Sequence, residues 1–72
     1  MVIIMDNVTV EYALKCMCFE EYTNIAVRKM QDGHRSIQIG GSPYASVISK
    51  RYGKEILLSS SIVSGVLVLV VA

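Results

Sequence analysis

Gly40, Gly41 and Ser42, with Pro43 directly after them, are the residues of this 72-residue chain whose types and spacing point most directly to chemistry. They follow the alternating Ile37, Gln38 and Ile39, so the stretch reads as a strand, a glycine turn and the start of a helix. Ser42 suits the N-cap and Pro43 the first helical position. The first turn of a helix carries backbone N–H groups with no intrahelical acceptor, at the positive end of the helix dipole. The N–H groups of Gly41, Ser42 and Tyr44, with the Ser42 hydroxyl, would therefore suit a phosphate or carboxylate. Pro43 supplies no N–H, and the chain contains neither GxGxxG nor GxxxxGK[ST], so an ordinary capped turn is the competing reading.

An anion site also needs countercharge. Lys50 and Arg51 stand about 10 Å further along the same helix, at 1.5 Å per residue. The candidate partners are instead Arg28, His34 and Arg35, on an adjacent hairpin, or residues of a second subunit. Charge segregates along the chain: up to Val27 four acids face one base, a balance of −3, whereas Arg28 to Lys54 hold six bases against Asp32, a balance of +5. Such asymmetry fits an anionic ligand such as a nucleotide, the docking of unlike patches, or two solvated faces of opposite sign. The same bases, beside Tyr44 and Tyr52, raise nucleic acid as a weaker partner. The hairpin strands have no aromatic residue on which a base could stack, and the two tyrosines fall on an apolar helical stripe that reads as core.

Catalysis has little to build on. His34 is the single histidine, expected in solvent at a hairpin turn with no nucleophile placed beside it. Adjacent Glu20 and Glu21 would diverge on a helix, and these groups do not make up a metal site. No cofactor is implied. Cys16 and Cys18 are too close for an ordinary disulfide or a common zinc pattern and read as reduced, buried packing residues, which together with the absence of a signal-peptide pattern suggests an intracellular, cytoplasmic protein.

The elements that must position these residues begin with the helix from Ser42 to Gly53, on which Tyr44, Val47, Ile48 and Tyr52 form one stripe. Asp32-Gly33 fits a two-residue type I′ turn between Asn24–Gln31 and His34–Gly40, which would pair Ala26 with Ile39, Arg28 with Ile37 and Met30 with Arg35. Val8 to Glu21 is compatible with a strand or a helix; the composition favours a helix from Val10 to Tyr22 capped by Thr9. Ile56 to Ala72 holds 17 residues without a charge, near the lower limit for a membrane span. Its serines, the Ser64-Gly65 break and its β-branched residues favour two buried strands.

With a first strand at Val2–Met5, the element order is βαββαβ plus an extra C-terminal strand. That is the order of the ferredoxin-like sandwich, an α+β two-layer fold, and the comparison carries no function. The alternative is a mostly β sheet or small barrel with one helix at 42–53. A single domain of this length buries about 60% of its surface, yet 53% of the residues are apolar. Self-association is therefore expected. The chain reads first as a homo-oligomeric binding protein without catalytic activity, and alternatively as a small-anion or nucleotide binder.

Overall fold

The computed structural model describes residues 8–16, 19 and 21–72. The strand expected at Val2–Met5 and the side chain of Cys18 lie outside the described residues. Two helices, α1 (Val10–Cys16) and α2 (Ala45–Tyr52), and four strands, β1 (Asn24–Met30), β2 (Ser36–Ser42), β3 (Leu57–Val63) and β4 (Val66–Val71), form a small α+β fold of two layers. The sheet is open, in the order β2-β1-β4-β3, so no barrel closes. β1 pairs antiparallel with β2 and parallel with β4, and β3 pairs antiparallel with β4. The C-terminal strand thus occupies the middle of the sheet rather than its margin.

β4 shows why the sheet has a core on one side. Leu67, Leu69 and Val71 are buried and join Ile25 and Val27 of β1, Val10 of α1 and Ile48 of α2 in one cluster. The alternate residues Val66, Val68 and Val70 project from the other face and are half-buried. β3 is largely exposed, including Ser59, Ser60 and Ser61, which corrects the expectation of two buried strands. It lies at the sheet edge, and only Leu57 and Ile62 pack against the core.

Helix α1 starts where the sequence places it. The Tyr12 N–H donates to Thr9 Oγ1 at 3.2 Å, while the N–H groups of Val10 and Glu11 donate to the carbonyls of Glu55 and Gly53, both at 3.0 Å. Its open donors are thereby satisfied. The helix is shorter than the expected Val10–Tyr22, because Glu21 and Tyr22 are already non-helical on the way into β1. Cys16 is exposed rather than buried, at the last residue of the helix.

Two turns exchange the roles expected of them. Ser64 and Gly65 have φ of 50° and 77° and join β3 to β4 between the paired Val63 and Val66, as a two-residue I′ hairpin requires. Asp32-Gly33 instead belongs to a longer loop spanning residues 31–35. There Asp32 Oδ1 accepts from the Arg35 N–H at 3.1 Å and the Gln31 N–H donates to the Arg35 carbonyl at 2.7 Å. The register shifts accordingly: Met30 pairs with Ser36, Arg28 with Gln38 and Ala26 with Gly41, with an irregularity at Val27/Arg28. The expected pairs of Ala26 with Ile39, Arg28 with Ile37 and Met30 with Arg35 do not form.

Candidate functional site

The residues that sequence assigns to one anion site fall into two groups. Gly40, Gly41 and Ser42 end β2, where they pair with Val27, Ala26 and Ile25. The loop bearing His34 and Arg35 lies at the other end of that strand, about 13 Å from Gly40 over four residues at 3.3 Å each.

The glycine turn is not a helix N-terminus. Helix α2 begins at Ala45 with Tyr44 as N-cap, so Ser42 does not cap it and Pro43 is not its first residue. The chain remains paired to β1 through Ser42, which delays the helix. Ser42 Oγ accepts the Tyr44 N–H at 3.1 Å, engaging one of the donors that an anion would use. Tyr44 is 66% exposed, so it leaves the apolar stripe expected of it, while Tyr52 and Ile48 keep to it.

Packing accounts for both glycines. A Cβ on Gly40 would meet the Tyr52 ring, which lies over the strand with its hydroxyl donating to the Ile39 carbonyl at 3.0 Å. A Cβ on Gly41 would stand 2.8 Å from the Ile25 carbonyl oxygen. The stop at Gly53 is also a matter of close approach. Its φ of −57° is right-handed, and an added Cβ would run into the Ser49 carbonyl oxygen and sit 3.1 Å from the Cβ of Glu11 at the junction of the two helices.

Arg28, His34 and Arg35 do come together, around a groove of about 660 Å³ that Gln31, Asp32, Ser36 and Ile37 complete. Arg28 is half-buried, and its side chain runs from β1 toward the loop. Its Nε donates to Ser36 Oγ at 2.9 Å and its Nη2 to the Ser36 carbonyl at 2.6 Å. Ser36, which sequence does not single out, is therefore the residue that aims the guanidinium. Its only signal is its position directly after Arg35.

The face away from the helices can now be read across the sheet. Residues opposite one another on paired strands share a face, so Val66, Val68 and Val70 stand with Val63, Ser61 and Ser59 of β3 and with Ala26 and Arg28 of β1. An apolar band thus runs through the middle, and Arg28 marks one corner. Among the described residues no group of histidine, cysteine and acidic side chains is arranged to hold a metal, and no helix is long and apolar enough to cross a membrane. No protein-family model, curated protein or solved structure matches the chain.

Proposed function

We propose that this chain is a small homo-oligomeric binding protein, without catalytic activity, in which a second copy covers the open sheet face. The burial of β4 carries the reading. All six of its residues are apolar, yet only every second one is enclosed. A sheet with one face in water ordinarily alternates apolar and polar residues along each strand. Here Val66, Val68 and Val70 break that alternation.

The charge of the face favours a copy of itself over a charged partner. Of the residues that strand register places there, Arg28 alone is charged, and Ser36 draws its guanidinium toward the loop. A two-fold contact sets each patch against its own kind, which an uncharged band tolerates and a charged one does not. Two such sheets would stack about 10 Å apart with interdigitated side chains. A cytoplasmic location belongs to the same reading, since an exposed free thiol at Cys16 suits a reducing compartment.

Size-exclusion chromatography with light scattering tests this directly. The protein is expected to run as a dimer or larger at about 100 μM, where even a dissociation constant near 10 μM leaves most chains assembled. Ser61→Lys, exposed and paired with Val68, adds a charge to the face without entering the core. It should give a folded monomer. A wild-type monomer at that concentration would overturn the proposal.

A further inference from the structure

The groove at the β1–β2 loop is built around a cation whose orientation is fixed and whose donors are partly unused. Arg28 has five N–H donors in a planar fork. The edge formed by Nε and Nη2 is occupied by Ser36, at 2.9 Å to its Oγ and 2.6 Å to its carbonyl. The other edge, from Nη1 to Nη2, has no hydrogen-bond partner among the described residues, and no carboxylate there lies within ion-pair distance of either Arg28 or Arg35. The Ser36 hydroxyl accepts from Arg28 and so keeps its own hydrogen to donate.

We infer that this groove binds a phosphate-bearing small molecule of nucleotide size, with the free edge of the Arg28 guanidinium and Arg35 on the phosphate oxygens. A planar guanidinium offers two parallel hydrogen bonds to such an oxyanion, and a guanidinium already held by a serine loses little freedom on binding. Asp32 opposes the ligand, because its carboxylate lines the same groove. Its Oδ1 has a structural task, accepting the Arg35 N–H. The volume of about 660 Å³ exceeds what a lone phosphate fills and lies within the range of small-molecule sites. The half-exposed Ile37 supplies an apolar wall for the remainder of the ligand. All of these groups belong to one chain, and because Arg28 marks a corner of the sheet face, the site requires a second copy on that face to leave this corner open.

Calorimetric titration with pyrophosphate and with ATP, at a protein concentration where the oligomeric state has been measured, tests the inference. Saturable binding of one ligand per chain is expected, tighter for ATP. Arg28→Lys keeps the charge but loses the fork, and should weaken binding about tenfold. Arg35→Ala should weaken it several-fold. Asp32→Asn retains the Oδ1 acceptor while removing the opposing charge, and should tighten it. The last two variants leave the Arg28–Ser36 contacts alone, so they decide the matter if Arg28→Lys fails to fold. Absence of saturation by about 10 mM of either probe, or affinities unmoved by Arg35→Ala and Asp32→Asn, would overturn the site. So would a single-stranded oligonucleotide binding more tightly than ATP with a salt dependence of several released counterions, which would assign the groove to nucleic acid.

Discussion

Gly41 approaches a neighbouring backbone so closely that its missing side chain is a structural requirement. A methyl carbon there, 2.8 Å from the Ile25 carbonyl oxygen, could be accommodated only by moving one strand of the β1–β2 ladder, whereas the obstacle at Gly40 is the tip of the Tyr52 side chain, which can swing aside. Gly41→Ala should therefore cost about 2–3 kcal/mol, in the range of overpacked positions. Gly40→Ala should cost nearer 1 kcal/mol, mostly through loss of the Tyr52 bond to the Ile39 carbonyl. Tyr52→Phe removes that same bond, so the Gly40→Ala cost should shrink in its background rather than add to it. Urea unfolding midpoints of the three single variants and the double variant check the order. Sequence singles out the two glycines correctly as special but not the reason, because a strand end packed against another backbone and a phosphate-binding turn both demand glycine. Arg28, His34 and Arg35 are legible as a set since two of them share a loop and the third lies on the adjoining strand. Ser36 is not, because its role depends on a register that sequence leaves open.

Loop length is where that register is decided. Aspartate followed by glycine satisfies a type I′ turn, but Asp32 can equally close a wider loop through its side chain, and Gly33 serves either with its φ of 89°. Ser64-Gly65 reads as a mere break because serine is an uncommon residue for the left-handed region, where asparagine is several-fold enriched. Ser64→Asn should consequently stabilise the hairpin by a few tenths of a kcal/mol, and Gly65→Ala should destabilise it by about 1–2 kcal/mol, the cost of a Cβ in that conformation. Thermal melts of both variants, read beside Ser64→Gly, separate the turn's backbone preference from any loss of packing. The helices are more legible at their capping residues than at their lengths. Thr9 caps α1 as expected, its Oγ1 accepting the Tyr12 N–H, and Thr9→Ala should cost about 1 kcal/mol in the same melts. The start of α2 escapes the sequence because Ser-Pro is as good a signal for leaving a strand as for entering a helix, and pairing with β1 holds Ser42 in the sheet.

The proposed coverage of the open face would have a consequence for the stability of the molecule as a whole. The apolar run of β4 presents apolar side chains on both faces of the strand, and that much is visible in an uninterrupted series of valine and leucine. What the run does not reveal is that β4 is central, flanked by β1 and β3, so that its second face forms the middle of a four-stranded surface. If a second copy buries that surface, unfolding separates the copies, and the folded state is favoured by mass action as protein concentration rises. For a dimer each tenfold increase contributes about 1.4 kcal/mol. Two chains of this length unfolding together correspond to a shift of about 3–5 °C in the thermal midpoint. Melts at about 5, 50 and 500 μM should therefore climb in two such steps, the rise being shallower wherever folded monomer is populated. Ser61→Lys should flatten that dependence and leave a lower midpoint that no longer responds to concentration. Because the added lysine lies on an exposed edge position, its effect on the isolated chain should be within about 0.5 kcal/mol. Equal midpoints for the wild type at all three concentrations would mean that the valines of β4 are tolerated half-buried, and that the monomer is stable with its sheet face open.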